Sequence, residues 1–190
     1  IVMYTASSRG SFDYSSLTEI NDAASDANIK QDIAIPEFPE TLGSYIFDGG
    51  NTINVSGKDD AGNTLGNWDD LRAVYKNSDG TGINLTMSYK MPEESGRTPT
   101  ETRTINGVTV TYNYDEYLVL PDEDEPLDPA VKERMETDDH FFVSYESSEK
   151  ETFFYSGAAF VKDGISYHIF TNDEIAADNL FDMAKELIER

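Results

Sequence analysis

The chain has 190 residues and carries 37 acidic against 14 basic side chains, a net charge of −23 at neutral pH. Such a surface repels phosphate backbones and anionic headgroups, which argues against nucleic-acid binding and against direct electrostatic docking on membranes. A hydrophobic content of 38% with 12% aromatics supplies one core, and the absence of cysteine removes disulfides, thiolate metal centres and cysteine nucleophiles.

The first residues include neither an initiator methionine nor a charged leader, and no stretch reaches the roughly 20 apolar residues of a membrane-spanning helix. The start reads either as what remains after an upstream anchor is removed or as an arbitrary boundary, with residues 1–12 loose in both cases. Ser16 and Glu19 have the spacing of a capping box, which predicts a helix with Leu17, Ile20, Ala23 and Ala24 as its apolar stripe. Pro36 and Pro39 push the residues before them towards extended geometry. Residues 1–39 are therefore an N-terminal segment with a short helix and a proline-containing connector, and 40–190 a single domain.

From residue 44 the hydrophobic period changes to two. Ile83, Leu85, Met87 and Tyr89 alternate with Asn84, Thr86, Ser88 and Lys90, predicting a strand with one dry face. The run at 71–75 joins it through Asn77, Ser78, Asp79 and Gly80, a composition suited to a hairpin turn. Asn106 and Gly107 predict a second hairpin into Val108, Val110, Tyr112 and Tyr114. Asp128 can cap, and Pro129 can open, a helical turn that runs to Glu136 as an insertion. Runs at 141–145 and 153–155 flank a polar reversal, and Asp163 with Gly164 turns the chain into 165–170, predicting a three-stranded meander. Leu180, Met183, Ala184, Leu187 and Ile188 share one face of a closing helix. Strands in runs, with helices at the ends, predict the α+β class: an antiparallel sheet of about six to eight strands, a C-terminal helix packed on one face, and an N-terminal helix.

Residues 113–139 hold eleven Asp or Glu against Lys132 and Arg134, with a peak at Asp122, Glu123, Asp124 and Glu125. Carboxylates suit a hard cation such as calcium, but the ligand spacing of an EF-hand is missing, and a solvated loop or a docking patch for a basic partner accounts for the same residues. Asp59 and Asp60, near Gly62 and Asn63, raise the same question and fit simple turn chemistry. Asp69 and Asp70 follow Trp68, as paired carboxylates beside a sugar-stacking ring would, yet adjacent strand residues point to opposite faces. The only histidines, His140 and His168, lack a spaced third zinc ligand. Hydrolase, metalloprotease, phosphate-loop and dinucleotide signatures are missing, so no catalytic, cofactor-binding or metal residue is assigned. Tyr112, Tyr114, Tyr117, Tyr145, Tyr155 and Tyr167 either line an apolar groove or fill a sheet core.

Taken in order, the strand at 71–75, the turn at Asp79 and Gly80, the run Ile83, Asn84, Leu85, Thr86 and Met87, the Ile105, Asn106, Gly107, Val108 turn, and Lys162, Asp163, Gly164, Ile165, Ser166 and Tyr167 before the closing helix form one pattern. It resembles an uncharacterised C-terminal extracytoplasmic domain of membrane-tethered, anti-sigma-factor-like proteins of Gram-positive bacteria, over roughly residues 40–190. The resemblance implies an extracytoplasmic location behind an upstream anchor, kinship with half-barrel lipoprotein carriers, and no catalytic residues; the acidic insertion at 122–139 lies outside its pattern. The expected function is a non-enzymatic sensor or protein-interaction domain without cofactor. The alternative is a secreted or tethered carrier for a small apolar or glycan ligand.

Overall fold

The computed structural model describes residues 3–7, 13–28, 34–58, 61, 63–89, 98–121, 127–145 and 149–190. The strands are β1 (Met3–Ser7), β2 (Thr41–Leu42), β3 (Tyr45–Lys58), β4 (Thr64–Lys76), β5 (Gly82–Ser88), β6 (Glu101–Ile105), β7 (Val108–Val119), β8 (Phe141–Ser144), β9 (Glu151–Lys162) and β10 (Ile165–Thr171). The helices are α1 (Leu17–Asn28), α2 (Pro129–Thr137) and α3 (Ala177–Glu189). One sheet takes all ten strands in the order β1-β3-β4-β5-β10-β9-β7-β6, with β2 added to β3 and β8 to β7.

Local chemistry explains the ends of the elements. The Ser16 amide donates to Glu19 Oε2 at 3.1 Å and the Glu19 amide to Ser16 Oγ at 3.3 Å, the reciprocal capping box that opens α1. Asp128 caps α2 by accepting from the Ala130 amide at 2.8 Å, with Pro129 in the first helical position. Asn106 and Gly107 both have positive φ, 49° and 84°, the conformation a two-residue hairpin needs between twisted strands.

One face of the sheet is apolar. Tyr75, Ile83, Leu85, Val110, Ile165 and Ile169 are fully or almost fully buried there, under Leu180, Phe181, Met183, Ala184, Leu187 and Ile188 of α3. Helix α1 extends this cover through Ile20 and Ala24. It approaches so closely that a Cβ on Gly50 would stand 2.6 Å from Ile20 Cδ1 and 3.0 Å from the Arg72 carbonyl oxygen, so a larger residue there would make the Ile20 side chain swing aside. The connector is tied to both layers, because Asn21 clasps the Phe38 backbone at 2.7 and 3.3 Å and the buried Tyr75 hydroxyl donates to the Pro39 carbonyl at 3.0 Å.

Three expectations change. The sheet has ten strands rather than six to eight, because the short β1 and β2, which carry no alternating run, pair with the two ends of β3. Residues 3–7, expected to be loose, form β1 against Asn54 to Lys58. The predicted meander is two strands, β9 and β10, since β8 lies on the far side of β7 and runs parallel to it. Strand β9 pairs with β7 from Val110 to Val119, and only the outer edge of β7 beyond β6 is left for the four-residue β8.

Candidate functional site

Residues opposite one another in register point to the same face, so the pairing identifies what the sheet presents away from α3. Asn51 pairs with Arg72, Arg72 with Thr86, and Thr86 with His168, which sets four polar side chains in one row across β3, β4, β5 and β10. Asn51 is buried, with 2% of its surface exposed, and accepts at 3.4 Å from a terminal guanidinium nitrogen of Arg72. Burial pulls the pKa of Arg72 below its usual range, because the charged form loses hydration.

A second polar line runs on the same face. The Asp115 carboxylate, 2% exposed, lies 2.7 Å from His140 Nδ1, while His140 Nε2 is 3.0 Å from the Thr98 carbonyl. Asp115 is in register with Tyr155, whose hydroxyl is 2.6 Å from His168 Nε2. Gly157 makes this contact possible, since a Cβ there would meet both Tyr155 Oη and His168 Nε2 at 3.0 Å. Phe170 stacks on the His168 ring at 4.8 Å and on the Tyr155 ring at 5.7 Å. Burial pushes the pKa of His168 down to about 4, so at neutral pH it is an uncharged hydrogen-bonding partner.

At the start of β9 the sheet carries aromatics into solvent. Tyr117 lies between Phe142 at 5.1 Å and Phe153 at 5.0 Å on the face away from α3, and Tyr114 stacks on Phe154 at 5.5 Å on the other face. Phe153 is 40% and Phe154 38% exposed, although both are large and apolar. Helix α2 stands nearby and sets Arg134 over the Phe141 ring at 4.0 Å, with its guanidinium also bound to Glu116 at 2.7 Å and Asp138 at 3.2 Å.

A cleft of about 210 Å³ remains at the C-terminal end of α3, between Pro36, Met87, Ile165, Tyr167 and Leu187. Its two cations are already engaged, Lys162 with the Ile188 carbonyl at 2.8 Å and Arg190 with Glu186 at 2.8 Å.

The acidic peak at Asp122, Glu123, Asp124 and Glu125, the pair Asp59 and Asp60, and the side chains of Trp68 and Asp69 lie outside the described residues. Asp70 has contacts of its own. His140 and His168 are held by different partners, and among the described residues no three His, Asp or Glu gather as metal ligands. The tyrosines divide instead of lining one groove: Tyr112, Tyr114 and Tyr167 belong to the α3 side, and Tyr117 and Tyr155 to the other. Sequence reasoning missed Arg72, Asp115 and Gly157. A basic residue among the alternating apolar Leu71, Ala73 and Tyr75 was the available signal for Arg72. Among the described residues no helix is long and apolar enough to cross a membrane. No protein-family model, curated protein or solved structure matches the chain.

Proposed function

We propose that this chain is a non-enzymatic interaction domain of a membrane-tethered, extracytoplasmic bacterial protein, and that it engages a basic protein segment through the aromatics at the start of β9. The observation that carries this reading is the solvent exposure of Phe153 and Phe154, adjacent on one strand and stacked on Tyr117 and Tyr114. Exposed apolar side chains are informative where they cluster, and here each exposed phenylalanine is stacked with a tyrosine, Phe153 on one face of the strand and Phe154 on the other. The net charge of −23 favours a cationic partner, and Arg134 over Phe141 shows how an aromatic in this region takes a guanidinium. The resemblance of the strand and turn pattern supports the extracytoplasmic setting.

The test is an NMR titration with a short peptide of alternating arginine and leucine and with its glutamate counterpart. The ring signals of Tyr117 and Phe153 are expected to shift saturably with the basic peptide alone, and the double substitution Phe153→Ser, Phe154→Ser is expected to abolish the response. Unmoved rings, or an unchanged response in the double variant, would refute the surface. Finding the native full-length gene product free in the cytoplasm would refute the setting.

The carrier reading has one supporting observation, the cleft beside Leu187 and Tyr167. Around it the apolar face is covered by α3, with α1 extending the cover.

A further inference from the structure

Strand β9 outruns one of its two neighbours. Its residues 156–162 pair with β10, whereas its pairing with β7 continues back to Glu151. Residues 151–155 thus have β7 along one edge and, among the described residues, no strand along the other. The direction of their backbone groups follows from β7. The Glu116 amide donates to the His140 carbonyl and the Leu120 amide to the Ser144 carbonyl, each at 2.8 Å, so Glu116, Leu118 and Leu120 turn their peptide groups towards β8 and away from β9. In an antiparallel ladder the residue opposite such a position also turns away. Phe154 and Thr152, opposite Glu116 and Leu118, therefore aim their N–H and C=O groups at the open edge, continuing the alternation of Ser156, which faces Thr171 of β10.

Exposure changes at the same boundary. Glu151, Thr152, Phe153 and Phe154 are exposed, Tyr155 is half-buried and Ser156 is buried. Proteins guard an open edge with lysine, proline or a bulge, and residues 151–155 have none of the three. Phe153 and Phe154 point to opposite faces, so a partner resting on one face would leave one ring in water. A strand laid along the edge places side chains over both.

Building on the reading of these two rings as a binding surface, we propose that residues 151–155 receive an extended basic segment of another protein as an added strand, antiparallel to β9 in the line that β10 leaves at Thr171. The outward groups of Thr152 and Phe154 supply the ladder, and the incoming side chains alternate between the two phenylalanines. Arginine on one face repeats the contact of Arg134 with the Phe141 ring, and an apolar residue on the other covers the second ring. Exposed Glu149, Glu151 and Glu174 outnumber Lys150 beside the edge, which favours a cationic strand. A charge of −23 on each copy disfavours pairing of the domain with itself.

Amide hydrogen exchange in the wild-type domain, with the arginine–leucine peptide and with the same peptide N-methylated at every residue, separates strand addition from contact with the rings alone. The unmodified peptide is expected to slow exchange at Thr152 and Phe154 at least about tenfold and to leave Phe153, already bonded to β7, unchanged. The N-methylated peptide should bind at least about tenfold more weakly in Kd, and so should the unmodified peptide to Thr152→Pro, which keeps both phenylalanines and removes one outward N–H. Shifted Tyr117 and Phe153 rings with unslowed amides, or equal binding of the N-methylated peptide, overturn strand addition and leave the aromatic surface standing. Rings and amides both unmoved overturn the surface and the added strand together. Slowing of the same two amides with rising protein concentration and no peptide would assign the edge to a second copy and overturn the basic partner.

Discussion

The two faces of this sheet are held by different physics. Under α3, Leu180, Phe181 and Leu187 meet Val110, Tyr112 and Phe160 in a dry layer where complementary shape and apolar burial do the stabilising. On the other face, Asn51, Ser88 and Asp115 are also buried, but they are polar, and each must be matched by a hydrogen-bonding partner. The first face should respond to lost volume, and the second to lost or altered protons.

The largest effect is expected on the dry side. Phe181 is 2% exposed, packs against Tyr112 and takes Arg103 over its ring at 4.0 Å. Phe181→Ala should cost about 3–5 kcal/mol of unfolding free energy, read from urea melts, through lost burial and the cavity left behind. A loss under about 1 kcal/mol would mean that α3 is not the cover described above.

The polar side should reveal itself through pH. Burial lowers the pKa of His168 from 6.5 to about 4, so between those values the unfolded chain takes up a proton that the folded chain excludes. This contribution to stability is complete above the unfolded value and is lost as pH falls, reaching about 3 kcal/mol near pH 4. Carboxylates titrate in the same window, so the measurement is a comparison of wild type with His168→Gln at about pH 7 and about pH 4. The variant should lose less stability on acidification; equal losses would mean that the imidazole next to Tyr155 is hydrated.

The smallest effect sharpens the contrast by crossing it. Ser156 lies on the α3 side, 1% exposed, with its hydroxyl lacking a partner among the described residues. Ser156→Ala should therefore raise stability by about 1 kcal/mol, because it removes an unsatisfied polar group without opening a large void. A destabilised variant would point to a hydrogen bond of that hydroxyl with ordered water.

What could be read from sequence was what is local. The α1 cap depends on residues three apart, the hairpin at Asn106 and Gly107 on two adjacent backbone conformations, and the α3 stripe on a period of 3.6, so each was legible in a short window. Even there Phe181 escaped, because it lies beside the stripe traced through Leu180 and Ala184, although it is as buried as they are. The position of β8 was not legible, because a four-residue strand, three of its residues apolar, cannot state whether β7 or β9 is its neighbour, nor in which direction it runs. The polar face was the least legible. That Arg72 meets Asn51, or that Tyr155 reaches His168 above Gly157, is a fact about strands brought together from separate parts of the chain.

Strand β10 lies between β5 and β9, and it follows every other strand in sequence. During synthesis, then, the β3-β4-β5 half and the β7-β9 half emerge from the ribosome with their inner margins unsatisfied, each a template for pairing with another nascent chain. The seam closes only when residues 165–171 arrive. A translation product halted before them would be two half-sheets without a zipper, and chaperone engagement should concentrate in that interval.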